Sequence, residues 1–407
     1  MSFDGQWATS FGQMTLRQDG ARVTGTYGRS GTENTLEGTV EAGRLAFRYE
    51  EAQERGTGWF RLRRPSCFGG EYLAERNTRP LPWQGWRGYD GLWDTSVGRL
   101  RLVQEAGRVW GSSELDASVR LEGDLEAGGR LALRMEGVEL KGGRGHLELD
   151  ATGYLIEGEW SEEGHPGGTI GGQRAMPRPG LTWLVVLEAH RQRVLDDDEY
   201  TLGRTLRELH ARQRWTQVRH RFFDDEPSLL RWCSQLLYLP EPCIVVVSGL
   251  GERTEETGSG TATSQWSRQG SSLGGALRGG LAGLIDGLRF ADGLKLLHVS
   301  SSSSLAGQEA ARALREAPFP VSGYTGDLDW SQRTLVEAVY LDLLLDKGLT
   351  PDNAAELLPQ LVRFAGTDTV AGSPYLPAGF TFVGPDSRLA EATLATQPAP
   401  TSRSRLH

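Results

Sequence analysis

The chain of 407 residues is poor in the residues that disulfide frameworks and metal sites require. It has seven histidines and only three cysteines, an odd number without metal-ligand spacing. Two of the cysteines, Cys233 and Cys243, stand in apolar surroundings, which favours buried thiols. We therefore expect a cytoplasmic protein that holds no metal and no other cofactor.

Long apolar runs and an excess of positive charge are also missing. No apolar run approaches the roughly 20 residues that cross a bilayer. The opening residues, MSFDGQWATS, lack the charged and apolar regions of a secretion signal. The net charge of −9 argues against a surface for phosphates, and no basic patch interleaved with aromatic residues stands out. Neither a membrane nor a nucleic acid is therefore an expected partner.

What the chain does contain is an internal repeat across residues 1–176. The first copy opens with FDGQWATSFG at Phe3, and the second opens with YDGLWDTSVG at Tyr89. Further matches keep this offset of 86 residues, among them Gly25 with Gly111. We therefore predict two tandem domains, 1–88 and 89–176.

Within each copy, apolar residues alternate with polar ones, as in the stretch Leu45–Tyr49, and glycine-containing turns separate the runs. This pattern predicts an antiparallel meander with one buried face. About six to eight strands per copy would close into a small barrel or a flattened sandwich, and one continuous double-length sheet is a further possibility. The opening G-x-W-x-T-S-x-G and the later G-E-Y/W resemble small up-and-down barrels of the avidin and lipocalin type.

The repeated tryptophan has two interpretations. Trp7 and Trp93 would line a ligand pocket if they stand at a barrel mouth. They would be core residues if each one plugs the closed end of its barrel.

The sequence changes character after the Pro-rich linker 176–180. Continuous apolar runs such as TWLVV at Trp183 predict strands that are covered on both faces, and leucines at helical spacing lie between them. The expected fold class is therefore multidomain, all-β plus α/β, with a mostly parallel sheet in a domain over 181–384. The tail 385–407 is rich in Pro, Ser and Thr and is predicted to be disordered.

Four motifs follow one another in this second half. They are EAH at 188–190, SGLG at 248–251, LHVSSSS at 297–303 and VSGYTGDLDW at 321–330. Their order over roughly 181–350 resembles caspase-like (CHAT-type) cysteine peptidases. The resemblance implies a histidine base and a cysteine nucleophile at the ends of neighbouring strands. Here the base position falls at Leu250, and the nucleophile position falls at Ser302, or at Ser300 if the strand is shifted by two residues.

Both replacements remove a group that peptide hydrolysis requires. Leucine cannot accept a proton, and a serine hydroxyl is hardly ionised at neutral pH without a base beside it. His190 is the nearest histidine that could take over as base. The sequence therefore predicts a peptidase fold without peptidase activity, so the protein is not expected to be an enzyme.

The expected function is non-catalytic protein binding or regulation, with the inactive cleft holding a protein partner. A protease that the protein inhibits or holds is one concrete form of that partner. The alternatives are a serine-dependent hydrolase that uses Ser302 or Ser300, and small-ligand binding by the barrels. Asp329 has a second interpretation as a helix cap. The candidate binding residues are His190, Tyr324, Asp327, Asp329, Trp7 and Trp93.

Overall fold

The computed structural model divides the chain into two compact units. The barrel unit comprises Met1–Thr182, Ser234–Pro242 and Phe290–Gly293, and the α/β unit comprises Trp183–Cys233, Cys243–Arg289 and Leu294–His407. The first two residues and two short internal segments of the predicted domain 181–384 thus group with the barrels. The residues that the structure describes are 2–28, 34–77, 79–116, 118–137, 142–162, 165–189, 201–249, 280–301, 304–326, 330–362 and 379–384.

The first repeat is a closed antiparallel barrel of eight strands in sequence order. β1 pairs with both β2 and β8, so the sheet has no free edge. The strands are β1 (Gly5–Thr9), β2 (Gly12–Asp19), β3 (Arg22–Gly28), β4 (Asn34–Glu41), β5 (Arg44–Glu50), β6 (Arg55–Arg64), β7 (Cys67–Ala74) and β8 (Leu81–Trp86).

The second repeat is a second closed barrel of eight strands. Here β9 pairs with both β10 and β16. The tandem barrels that the repeat predicts are confirmed. They are two separate closed barrels and not one double-length sheet. The strands are β9 (Gly91–Thr95), β10 (Gly98–Glu105), β11 (Arg108–Ser113), β12 (Arg120–Leu125), β13 (Leu131–Glu136), β14 (Gly143–Leu149), β15 (Leu155–Glu162) and β16 (His165–Arg174).

A shared glycine explains part of the repeat. A Cβ added to Gly25 would lie 2.3 Å from the carbonyl oxygen of Thr15, and one added to Gly111 would lie 2.2 Å from that of Arg101. These distances are far inside van der Waals contact, so each glycine allows its strand to pack closely against the preceding one. The same constraint therefore acts at the same place in both barrels.

The two barrel cores differ in chemistry. In the first barrel the ring of Trp83 is surrounded by aromatic residues, with ring centres of Tyr27 and Phe60 at 4.8 and 5.3 Å. The second barrel fills its interior mainly with aliphatic side chains such as Leu133 and Ile170. Both interiors are thus packed with side chains and form hydrophobic cores.

The α/β unit is built on a mixed six-stranded sheet with the order β18-β17-β19-β20-β21-β22. Strands β17, β19, β20 and β21 run parallel, and β22 is antiparallel to β21. The strands are β17 (Thr182–Ala189), β18 (Thr216–Phe223), β19 (Cys243–Ser248), β20 (Leu294–Ser300), β21 (Val321–Tyr324) and β22 (Phe380–Val383).

Six described helices accompany this sheet. The central strand β19 is buried along its whole length, as expected of a strand that is covered on both faces. The helices are α1 (Leu202–His210), α2 (Glu226–Leu236), α3 (Gly280–Leu288), α4 (Gln308–Glu316), α5 (Trp330–Leu345) and α6 (Pro351–Leu361). Among the described residues, no helix is both long and apolar enough to span a membrane. The predicted disordered tail, 385–407, lies outside the described residues.

Candidate functional site

The strand order of the α/β unit marks one edge of the sheet as the place where a ligand would be expected to bind. The chain leaves β17 toward β18 on one side and then crosses to β19 on the other. In open sheets of this kind, ligands bind outside the carboxyl ends of the strands at such a reversal. Here the register aligns Glu188, Ser248 and Ser300 in one row across β17, β19 and β20. This row, together with the described neighbours Gly249 and Ser301, forms the candidate site, which we call the strand-end crevice.

Three described serines at these strand ends are withdrawn from solvent. Ser300 and Ser301 are both completely buried, and Ser248 is 4% exposed. The backbone N–H of Gly249 donates a hydrogen bond to the Ser301 hydroxyl oxygen at 3.0 Å. The Ser301 hydroxyl therefore ties the end of β20 to the end of β19.

Gly249 is required by the backbone at this point. Its φ of +89° is in the region that favours glycine, and an added Cβ would lie 2.5 Å from the Cβ of Ala189. The ends of β17 and β19 can approach each other closely because this position has no side chain. The glycine of the S-G-L-G motif is thus explained by its backbone conformation together with its packing against Ala189.

Glu188, the acidic residue of this row, is hydrogen-bonded to the first residues of the next helix. The Glu188 carboxylate accepts hydrogen bonds from the N–H groups of Leu202 and Gly203 at the start of α1, at 3.1 and 3.2 Å. His220 Nε2 lies 3.0 Å from its second oxygen. Burial opposes ionisation of Glu188, but the hydrogen bonds from His220 and α1 outweigh it and lower the pKa of this carboxyl. Glu188 is therefore a charged helix cap.

His298, on β20, lies in a buried polar network. Its ring nitrogens are 2.9 Å from the Ser322 hydroxyl and 3.1 Å from a carboxylate oxygen of Glu337. The Tyr324 hydroxyl donates to the same Glu337 oxygen at 3.4 Å, and all four residues are completely buried. Burial, together with the nearby Glu337 carboxylate, raises the pKa of Tyr324. The described part of the LHVSSSS and VSGY motifs is thus joined inside the protein.

The structure describes only some of the predicted site residues of this half. Ser300 and Tyr324 are buried as stated above, and the Tyr324 side chain is directed into the core network. None of the described residues at the carboxyl ends of β17, β19, β20 and β21 is a histidine or a cysteine. The predictions for Leu250, Ser302, His190, Asp327 and Asp329 fall outside the described residues.

The repeated tryptophans of the barrels occupy equivalent buried positions. Trp7 is 2% exposed and Trp93 is completely buried. The indole N–H of Trp7 donates to the Phe3 carbonyl, and that of Trp93 donates to the Tyr89 carbonyl, both at 2.8 Å. A cavity of about 240 Å³ in the barrel unit touches Trp7 but not Trp93. Each indole is thus part of a barrel core with its one polar atom satisfied.

A cluster of three potential metal ligands lies elsewhere in the barrel unit. The ligand atoms of Cys67, Asp90 and Asp292 are within 4.8 Å of one another. Arg64 pairs with both carboxylates, at 2.7 Å to Asp90 and 2.9 Å to Asp292, and Arg101 lies 2.6 Å from Asp292. Burial raises the pKa of the Cys67 thiol, so it stays protonated. Two guanidinium groups already neutralise the two carboxylates, and the cluster is an ion-pair network that does not suit a metal.

The sequence reasoning missed one surface altogether. Residues 211–223 read ARQRWTQVRHRFF, which is a basic run interleaved with aromatic residues, so the expectation that no such patch occurs was wrong. This run forms β18 and the turn before it, at one edge of the sheet.

Comparison with known proteins identifies no family. No family model and no curated protein matches the chain. One solved structure that is similar to part of it is the agglutinin of Burkholderia oklahomensis, with 10% sequence identity and a TM-score of 0.15. That match covers 40% of this chain and 88% of the agglutinin chain. A similarity at this level does not bear on function.

Proposed function

We propose that this protein is a non-catalytic binding protein, in which a caspase-like α/β domain without its catalytic pair presents the strand-end crevice to a protein partner. Support comes first from the sequence, where leucine and serine replace the base and the nucleophile that the resemblance implies. A crevice at the reversal of strand order can still bind a ligand when the catalytic base and nucleophile are absent.

The observation that carries the proposal is the hydrogen bond from Gly249 N–H to the Ser301 hydroxyl. In a peptidase, the groups at the two strand ends would be a nucleophile and a base in hydrogen-bond contact. Here the contact between the strand ends joins a backbone amide to a buried serine. The buried histidine of this region, His298, is bonded to Ser322 and Glu337 instead of a serine of the crevice.

The proposal is tested by incubating the purified full chain with a diverse peptide library and analysing the products by mass spectrometry. We expect no cleavage above the level of the Ser302→Ala variant, because neither protein has an activated nucleophile. Cleavage by the wild-type chain that is lost in Ser302→Ala would establish the serine hydrolase and overturn the proposal. The partner itself is sought by capture from native lysate, with a variant carrying bulky substitutions in the crevice as control.

Small-ligand binding by the barrels, of the kind that the avidin and lipocalin resemblance implies, is less well supported. The barrel cores are filled by side chains such as Trp83, Phe60 and Leu131, and the cavity of about 840 Å³ at the first barrel is lined partly by charged residues such as Arg48 and Glu75. Trp7 and Trp93 lie in these cores with their N–H groups bonded to the backbone. We therefore assign the barrels a structural role in this proposal.

A further inference from the structure

The edge strand β18 has a free side in the described sheet. It is the first strand in the order β18-β17-β19-β20-β21-β22, and no described strand pairs with its other edge. An edge strand presents a row of backbone N–H and C=O groups that can pair with another extended segment. Natural proteins often place charged side chains on edge strands, and these charges oppose pairing with other strands. The charges on β18 therefore determine which extended segment can pair with it.

The charge of this edge is opposite to that of the whole protein. Residues 211–223 contain four arginines and no acidic residue, whereas the chain carries a net charge of −9. On the strand itself, Arg219 and Arg221 alternate with partly buried residues and are both exposed. Because side chains two residues apart lie on the same face of a strand, these two guanidinium groups form a positive row.

The arginines are held in place by stacking. The guanidinium carbon of Arg219 lies 4.3 Å from the centre of the Trp183 ring, and that of Arg221 lies 5.5 Å from the Trp232 ring. Arg214 stands 4.9 Å from the ring of its neighbour Trp215. A stacked guanidinium can still offer N–H groups to carboxylates, and in Arg221 this applies to the groups other than Nη1, which donates to the His220 carbonyl at 3.0 Å. Less side-chain entropy is then lost when a ligand binds.

Exposed aromatic residues flank the same strand. Trp215 is 44% exposed before its first residue, and Phe222 is 42% exposed near its end. Tryptophan and arginine are the residue types that most often dominate the energy of protein interfaces. The edge therefore combines a positive row and apolar anchors with strand backbone groups, of which the carbonyls of His220 and Phe222 already accept from Arg221 and Trp232.

We propose that β18 is a docking strand for an extended acidic peptide segment of a partner protein, which adds to the sheet by backbone pairing while its carboxylates face Arg219 and Arg221. Strand addition of this kind gives affinity through the main chain and specificity through alternate side chains. A second copy of this chain fits poorly, because its own β18 would bring arginines against arginines. A nucleic acid cannot pair with the backbone of an edge strand as an extended peptide does. The net negative charge of the protein also disfavours nucleic-acid binding.

This inference does not depend on the strand-end crevice. The crevice lies at the carboxyl ends of the strands, whereas the docking surface is the outer side of β18. Peptide binding to β18 could therefore hold even if the crevice proved to be catalytic.

The test is fluorescence anisotropy with the full chain and a short labelled peptide that alternates glutamate and valine. We expect saturable binding that weakens as the ionic strength rises, since exposed ion pairs are screened by salt. The same peptide with N-methylated backbone amides should bind at least about tenfold more weakly, because it cannot pair with the strand. A lysine-valine peptide should not bind, and a DNA duplex should bind more weakly than the acidic peptide.

The protein variants separate charge from fold. Arg219→Gln with Arg221→Gln should weaken binding at least about tenfold, whereas Arg108→Gln with Arg130→Gln, which makes the same charge change on the second barrel, should leave binding unchanged. Arg219→Lys with Arg221→Lys keeps the charge and should retain part of the affinity, even if the loss of stacking lowers stability. No binding of the acidic peptide, equal binding of the N-methylated peptide, a preference for DNA, or equal effects of the two Gln pairs would each overturn the proposal.

Discussion

The guanidinium carbon of Arg174 lies 4.2 Å from the centre of the Trp93 ring, directly over the tryptophan that opens the second repeat. Arg87 stands in the same relation to Trp7 in the first barrel, at 3.6 Å. In each barrel, a tryptophan in the first strand is thus in stacking contact with an arginine at or just after the last strand. This pair joins the beginning and the end of each repeat where the barrel closes.

The first prediction concerns Arg174, which is buried and donates to the carbonyl groups of Gly88, Asp90 and Gly153. Arg174→Lys should lower the free energy of unfolding by about 3 kcal/mol, because one ammonium cannot replace a planar group with several donors. Arg87→Lys, at a half-buried position, should cost about 1 kcal/mol. Urea unfolding followed by tryptophan fluorescence measures both. Equal costs for the two variants would contradict this assignment.

The second prediction concerns the pH dependence of the buried ion-pair network. Burial would raise the pKa of Asp292, but Arg101 and Arg64 reverse that effect and hold it well below its usual range. A carboxyl with a lowered pKa in the folded protein stabilises the fold above its ordinary pKa of about 4, and this stabilisation is lost as the pH falls further. Asp292→Asn should therefore cost about 3 kcal/mol at neutral pH.

The difference between wild type and Asp292→Asn should shrink as the pH is lowered from neutral to about 3, since the carboxyl of the unfolded wild-type chain binds a proton below about pH 4 whereas that of the folded protein stays ionised. Urea unfolding at several pH values measures it. Asp124→Asn, at an exposed carboxyl in the second barrel, is the control and should change stability little at any pH. A constant difference across this range would show that Asp292 has no lowered pKa.

The third prediction concerns the tyrosines of the first barrel. Burial raises the pKa of Tyr72 to about 12 and raises the pKa values of Tyr27 and Tyr49 as well. A raised phenol pKa stabilises the fold below the ordinary value of about 10 and ceases to do so as the pH rises above it. Tyrosinate absorbance should therefore appear in two phases, the second coinciding with alkaline unfolding monitored by circular dichroism. A single phase near pH 10 would be inconsistent with these buried hydroxyls.

The fourth prediction tests the packing at the strand-end crevice. Gly249→Ala should destabilise the protein by about 2–3 kcal/mol, because the new methyl group would meet Ala189 and the backbone conformation disfavours alanine. Gly20→Ala is the matched control, since Gly20 also has a positive φ, of +57°, but open space around it. That control should cost about 1 kcal/mol. Thermal unfolding of both variants measures these losses of stability. Equal losses of stability would mean that the close approach of Ala189 to Gly249 is unimportant.

The barrels were predictable from the sequence because local signals repeat in them. Alternating apolar residues define the strands, and the repeated glycine at Gly25 and Gly111 marks a close approach of strands. The sequence predicted about six to eight strands per copy, but it left open the choice between closed barrels, flattened sandwiches and one continuous sheet, since this depends on pairing between the first and last strands of each copy. The parallel strands of the second half were equally visible as continuous apolar runs.

Long-range pairing explains what the sequence did not reveal. Asp292 is 228 residues away from its partner Arg64, and no periodic signal links them. Gly249 and Ser301 are 52 residues apart, so their hydrogen bond also required the sheet register. The basic run around Arg219 was present in the sequence, but only the strand order showed that it lies at an edge.

The central claim is that the strand-end crevice holds no activated nucleophile. Its most direct test is to treat the native full chain with a fluorophosphonate probe and a thiol-directed probe, and then to read the covalent adducts by intact mass and peptide mapping. The account predicts no fluorophosphonate adduct on the serines from Ser300 to Ser304, and no thiol adduct before denaturation at the three buried cysteines. A stoichiometric fluorophosphonate adduct at Ser302 that disappears on denaturation or in Ser302→Ala would contradict it.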